Sequence, residues 1–365
     1  MRTLKRIDYL LLATPLALGV ISVIMLHSIR GPGDRMPIVQ AIAFGLGTVA
    51  MVVLAFFDNT YFKRLERWLY PFAIFLQFLV FTPLGVNING QRNWLDLGFT
   101  TLQPSEFVKI IFVLTLSAYL TRNRESLFTF KGLSFAFLYS LPLIGLVGSV
   151  DMGSGIVMMA IFIGMVFVAG LRGSLLLRLS GIFVILIPVF YRFLGSYQQD
   201  RITAFLHPDN FDTDATYQVH QSKIAIGSGG FFGKGLGNGT IKSSGFLPVQ
   251  ESDFIYSIIC EELGFLGGGL VIALYFIMLF RMWVVVRRSR EVYSALVVVG
   301  FICMLGFQIF ENVGMVMGLM PVTGITLPFL SQGGTSALAD MMIIGIVLGI
   351  GAENKVKSYK RIQTH

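Results

Sequence analysis

Cysteine, histidine and charge are scarce in this sequence. Its 365 residues include 2 cysteines and 4 histidines, and only 13% are Asp, Glu, Lys or Arg. Cys260 and Cys303 both fall inside long apolar runs, which speaks against a disulfide framework and against a cysteine-based zinc site. His27, His207, His220 and His365 are scattered without metal-ligand spacing. A phosphate loop of the form G-x-x-x-x-G-K-[ST] is absent, because Lys234 is followed by Gly235. No internal repeat is visible, which argues against transporter folds built from duplicated halves.

Apolar residues fill the gap. They make up 55% of the chain, and the mean hydropathy is +0.74, far from the composition of a soluble domain. Runs long enough to cross about 30 Å of hydrocarbon recur throughout. They predict an all-α integral membrane protein with ten spans, near 8–29, 38–57, 66–83, 104–121, 131–149, 154–170, 176–194, 254–280, 292–318 and 338–352. The whole of 1–365 reads as one polytopic domain, with a large outer loop, 195–252, inserted between spans seven and eight. The first span is too long for a cleavable signal and lacks a small-residue cleavage site, so it reads as a signal-anchor.

Basic residues orient the bundle. With a cytoplasmic N-terminus, 19 of the 28 Lys and Arg residues fall on inside segments, although the longest loop lies outside. Both termini are therefore expected in the cytoplasm. This anchoring accounts for the net charge of +8 without nucleic acid as a partner.

Most connections are short, as in a helical bundle, but 84–103 and 195–252 are not. Long connections in a tight protein are often functional. The second is expected to be partly ordered, with a short amphipathic helix near 216–226. Gly264/Gly268 and Gly345/Gly349 have the spacing that lets helices approach closely.

Several motifs carry charge or irregular backbone to the outer side. In GQRNWLDLGFTTLQPSEFVKI (90–110), Pro104 suits a first helical turn, with Gln103 or Ser105 as its cap. Glu106 and Lys109 then share one face. Burying each charge costs roughly 2.5–3.5 kcal/mol, so they are expected to pair. Spacing alone leaves a structural pair and a substrate-facing pair equally open. QSKIAIGSGGFFGKGLGNG (221–239) is either a surface loop or a nest whose N–H groups, with Lys223 and Lys234, receive a pyrophosphate.

In LPVQESDFIYSIICEELGFLG, Ser252 is a candidate N-cap, and Asp253 would then occupy the first helical turn. Glu261 and Glu262 lie two to three turns deeper, where acids demand a functional role or an ion pair. Glu262 falls about 180° around the helix from Asp253 and is expected to make a structural contact. ENVGMVMGLMPVTGITLPFLSQGGTSAL (311–338) is too rich in Pro and Gly for a regular span. Such backbone survives at membrane depth only when buried in protein or lining a cavity. With Asp151 of VDMGSG, these motifs converge on one face of the membrane.

At NGQRNWLDLG, LQPSEFVKI, QSKIAIGSGGFFGKGLGNG, ESDFIYSIICEELGFLG and LMPVTGITLPFLSQGGTSAL the chain resembles the SEDS family (shape, elongation, division and sporulation proteins). The likeness covers nearly the whole chain and looks closer to the RodA (elongation) branch than to the FtsW (division) branch. It implies a peptidoglycan glycosyltransferase that polymerises lipid II on the outer face of the membrane, by an inverting displacement that expels undecaprenyl pyrophosphate. It also implies a class B penicillin-binding protein and membrane proteins of the elongation complex as partners.

The family's catalytic aspartate falls on Asp253. The resemblance supports Lys109, with Glu106 beside it, as a substrate contact. Arg92, Asp151, Lys223, Lys234 and Ser331 are further candidates for holding substrate or pyrophosphate. A divalent cation (Mg²⁺ or Mn²⁺) near Asp253 is compatible with the chemistry, although no ligand motif calls for one. The chain departs from its family at Val249 and Glu251, where an acid and a histidine are usual. It also departs at Val150, in place of proline, at Gln332, in place of tyrosine, and at Glu311, where an apolar residue is frequent. The rival readings are a lipid II flippase, which needs polar residues through the full depth of the bundle, and a non-catalytic scaffold.

Overall fold

Prolines and short polar residues set where the helices begin. A computed structural model describes residues 7–57, 59–88, 91–96, 98, 101–170, 192, 195–207, 214–239 and 251–362. Asp8 caps α1 (Tyr9–Arg30), its Oδ1 accepting from Leu11 N at 3.2 Å. Pro37 lies at the start of α2 (Met36–Ala55). α3 (Asn59–Phe78) carries Lys63, Arg64, Glu66 and Arg67 in its first half. Pro104 opens α4 (Pro104–Arg122), where its missing N–H is harmless. Thr129 caps α5 (Phe130–Gly148), and Asp151 caps α6 (Met152–Ala169). There follow α7 (Ser196–Leu206), α8 (Asp214–Ser228), α9 (Ile255–Arg288), α10 (Val292–Val316) and α11 (Gly334–Ile362).

Among the described residues, eight helices are long and apolar enough to cross a membrane: α1, α2, α4, α5, α6, α9, α10 and the Gly334–Glu353 part of α11. They coincide with eight of the ten expected spans. The expected third span, 66–83, is instead a helix that begins earlier, among charges, and stops at Phe78 before a 3₁₀ turn, Leu79–Phe81. The expected seventh, 176–194, lies outside the described residues. α4, α10 and α11 are the most enclosed helices, whereas α2 and α9 present Ile38, Ile42, Phe276 and Phe280 outward. An apolar helix exposed in this way matches a lipid surround. α2 and α11 pack through the expected glycines: a Cβ at Gly345 would stand 2.6 Å from the carbonyl oxygen of Met51, and one at Gly349 would stand 3.2 Å from that of Leu54.

Both long connections contain structure. Residues 84–103 include a three-stranded antiparallel sheet, β1 (Gly85–Ile88), β2 (Gln91–Asp96) and β3 (Thr101–Leu102), in that order, with Gly85 opposite Leu95 and Leu95 opposite Leu102. The 195–252 segment contributes α7, α8 and a glycine-rich turn over 229–239, and α8 contains the helix expected near 216–226.

Gly264 does something other than the helix packing its spacing suggests. At φ 67° and ψ −162° it breaks α9. A break frees backbone groups that must be paired when buried. The glycine-rich turn pairs them. Lys234 N donates to Glu261 O at 3.0 Å and Gly235 N to Glu262 O at 2.9 Å, while Phe265 N donates to Gly230 O at 2.9 Å and Leu266 N to Phe231 O at 3.3 Å. The approach leaves no room for side chains: a Cβ on Gly229 would lie 1.9 Å from Cys260 O, and one on Gly233 would lie 2.1 Å from Glu262 O. Glu261 and Glu262, both 0% exposed, are neutralised or hydrogen-bonded at the same splice. Lys234 Nζ pairs with Glu261 Oε1 at 2.7 Å, and Ser28 Oγ of α1 donates to Glu262 Oε2 at 2.5 Å.

Candidate active site

Asp253 sits just outside α9. The expected cap by Ser252 is not made. The helix starts at Ile255 behind Phe254, which makes no side-chain cap, and 251–254 form a turn. Ser252 Oγ donates instead to Asp253 Oδ1 at 2.8 Å. The expected cap of α4 is missing too: Gln103 makes no cap bond and donates from Nε2 to Asp151 Oδ2 at 3.5 Å, and Ser105 Oγ has no partner among the described residues.

The 251–254 turn is tied to the irregular segment 317–333. Asn312 Nδ2 donates to Asp253 O at 2.9 Å and to Ile325 O at 2.8 Å. Ser331 Oγ donates to Ser252 O at 2.5 Å and accepts Leu327 N at 2.8 Å. Gln332 N donates to Glu251 O at 2.8 Å, and the Glu251 carboxylate pairs with Arg30. The 317–333 segment needs no helix because its apolar side chains Val322, Ile325, Leu327, Phe329 and Leu330 are buried in protein, as irregular backbone at this depth requires.

The charge environment of Asp253 favours a base. Withheld water pushes its carboxyl above the usual carboxylate range; the Ser252 hydroxyl and Arg201 pull it down, and Asp151 and Glu251 push it up again. Gly324, at φ 74°, threads between the two partners: a Cβ there would stand 3.3 Å from Arg201 Nη1 and 3.5 Å from Asp253 Oδ2. Arg201 also lines a cleft of about 620 Å³ whose other walls include Arg92, Gln198, Gly153 and Thr323, with Val80, Phe81, Ile156 and Ile202 as apolar lining. The cleft therefore joins two guanidinium groups to an oily wall; Asp253 does not line it and reaches it through Arg201.

The remaining candidates divide. Arg92 lines the cleft, with two of its N–H groups committed to Thr82 O (2.7 Å) and Gly85 O (3.3 Å). Asp151 lies at the cleft's edge, capping α6 through Ser154 N at 3.0 Å. Ser331 is 3% exposed, and its hydroxyl is occupied by backbone. Lys223 is exposed and stands beside Gly318, while Lys234 is held by Glu261, and neither lines the cleft. Val249 lies outside the described residues.

Glu106 and Lys109 pair at 2.9 Å, 3% and 1% exposed, within electrostatic reach of Asp340 on α11 and away from the cleft lining. Removing one member of a buried pair strands the other charge. Lys109→Met is expected to cost about 3–5 kcal/mol of stability, and Glu106→Gln combined with Lys109→Met to recover most of it, read by thermal unfolding in detergent.

Comparison with known proteins matches residues 5–356 to the FTSW_RODA_SPOVE family of cell cycle proteins. The chain belongs to this family. This SEDS protein is 35% identical over 325 residues to stage V sporulation protein E of Bacillus subtilis, covering 85% of each chain. It is 32% identical over 359 residues to the peptidoglycan glycosyltransferase MrdB of Escherichia coli K12, covering 96% of this chain and 95% of that one. Among solved structures it resembles a chain from a peptidoglycan synthase complex that coordinates polymerization and crosslinking (TM-score 0.84, 29% identity, covering 95% and 98%). It also resembles the rod shape determining protein RodA of Thermus thermophilus (TM-score 0.70, 28% identity, covering 95% and 97%).

Sequence reasoning missed Arg201, Thr323 and Asn312. Arg201 had one available signal, since a cation in a segment expected on the outer side runs against the positive-inside trend. Thr323 and Asn312 offered none, because their roles depend on contacts between α10, the 317–333 segment and the 251–254 turn.

Proposed function

We propose that this SEDS protein is an inverting peptidoglycan glycosyltransferase that polymerises lipid II on the outer face of the bacterial cytoplasmic membrane. The observation that carries the reading is Asp253, a half-buried carboxylate beside Arg201, which lines a cleft together with a second guanidinium group, that of Arg92. Asp253 takes the proton of the acceptor GlcNAc 4-hydroxyl as that oxygen attacks C1 of the donor MurNAc. The bond from C1 to the pyrophosphate oxygen breaks with inversion, and undecaprenyl pyrophosphate departs. A pyrophosphate needs charge stabilisation and no general acid, so one carboxylate suffices. Arg92 and Arg201 are assigned to that stabilisation, ahead of Lys109, Lys223 and Lys234, because they line the cleft. The apolar wall suits the isoprenoid end of the leaving group.

Among the described residues no group of three or more His, Cys, Asp or Glu side chains is disposed to hold a metal ion. A divalent cation would be held jointly with the substrate's own phosphates, as small hard cations usually are at such sites. The elongation branch is favoured by the nearly end-to-end match to MrdB and the likeness to RodA. A class B penicillin-binding protein is the expected partner, in keeping with the synthase complex above. Both termini would lie in the cytoplasm.

The full chain and a class B partner, reconstituted in liposomes that present lipid II to the cleft-bearing side, are expected to yield glycan strands. The assay is repeated with and without Mg²⁺ or Mn²⁺. Transfer of intact lipid II between leaflets without strand formation would favour a flippase instead.

A further inference from the structure

Glu311 is a charge that this reaction leaves without a task. It lies near the end of α10, 1% exposed, in an otherwise apolar helix. Its Oε1 accepts the Thr323 hydroxyl, and its Oε2 is buried with no partner among the described residues. A carboxylate retained in such a place costs stability and needs an offsetting role.

Its neighbours show what that role is. Thr323 lines the cleft with Arg201, and the next residue, Gly324, lies against both Arg201 and Asp253. α10 therefore grips this wall through two consecutive residues: Glu311 holds Thr323, and Asn312 holds Ile325 O together with Asp253 O. Arg201 is within electrostatic reach of both Asp253 and Glu311.

We propose that Glu311 is a positioning residue for glycosyl transfer, seating the cleft wall through Thr323 and sharing Arg201 with Asp253. The inference rests on Asp253 being the base. Two carboxyl groups that face one guanidinium take up protons as a pair. Sharing keeps Arg201 from fully neutralising Asp253, which preserves the basicity of Asp253. The charged groups facing Asp253 are Arg201 from α7, Asp151 at the start of α6, Glu251 from its own turn, itself paired with Arg30, and Glu311 from α10. Those facing Glu311 are Asp253 and Arg201.

The test is the pH dependence of lipid II polymerisation by the full chain with its partner. Glu311→Gln keeps shape and removes charge, so Asp253 ionises more easily. Its acid limb is expected to move to lower pH by about half to one unit. Thr323→Val releases the Glu311 carboxylate toward Arg201 and is expected to move the limb the other way. A limb that stays in place in Glu311→Gln, with activity lowered by the same factor at every pH, would mean a merely structural role and overturns the proposal. Should Glu311→Gln fail to fold, Thr323→Val decides alone: an upward shift supports the proposal and an unmoved limb ends it. Polymerisation that survives in Asp253→Asn brings down the base assignment itself, and this inference with it.

Discussion

Asp253→Ala is expected to take lipid II polymerisation to background, a loss of about 10²–10⁴-fold or more, because the acceptor hydroxyl then has no group to take its proton. Among the described residues the other carboxylates near Asp253 are otherwise engaged, Glu311 by the Thr323 hydroxyl. Glu251 is engaged by Arg30, and Asp151 is spent on capping α6. In the unsubstituted protein, activity should fall as pH drops through the raised Asp253 value, so its acid limb lies above the ordinary carboxylate range. Stability should respond with the opposite sense. A carboxyl whose folded-state pKa is raised contributes stability that is present below its unfolded pKa and is lost as pH rises through the folded one. Asp253→Asn removes that penalty at neutral pH, so the variant should be inactive yet melt no lower than the parent. An inactive variant that also unfolds early would reduce Asp253 to a structural residue.

Gly233→Val should have the largest effect on folding. Gly233 is at φ 81°, and its missing Cβ would lie 2.1 Å from Glu262 O. Left-handed backbone costs a side-chain-bearing residue about 1–3 kcal/mol before any clash is counted. Here the clash is with backbone, which has no rotamer to escape into. Pushing the turn away undoes the donations of Lys234 N and Gly235 N and separates Lys234 from the buried Glu261. Each buried carbonyl left unpaired costs about 1–3 kcal/mol more. The expected outcome is little or no folded protein in detergent by size-exclusion chromatography. Gly237→Ala should be far milder: Gly237 shares the positive φ, but nothing lies within 4 Å of its missing Cβ. Equal behaviour of the two would show that backbone conformation, not close approach, sets the need for glycine in this loop.

Much of the scaffold is legible in the order of residues. Eight of the ten apolar runs read as spans are long apolar helices among the described residues, because in lipid a backbone must satisfy its own hydrogen bonds, and a helix does so locally. Pro104 marks a helix start for the same local reason. Local rules fail where a segment is held by distant ones. Ser252 before an apolar run looks like a cap, but Ser331, Gln332 and Asn312 pull residues 251–254 into a turn, and the helix begins two residues later than its sequence suggests. Gly264 looks like a packing glycine, and it is a break spliced by a loop about thirty residues earlier in the chain.

The sequence alone determined the membrane class, most of the helices and the presence of charged and irregular segments beyond what a plain bundle needs. Hydropathy and local hydrogen bonding depend on near neighbours, so they can be read in order along the chain. Only the tertiary structure decided what each charge faces. It put Glu261 on Lys234, Glu262 on Ser28, Glu251 on Arg30 and Asp253 beside Arg201. A carboxylate becomes an ion pair, a structural acceptor or a base according to the partner within a few ångströms of it, and that partner lies tens or hundreds of residues away.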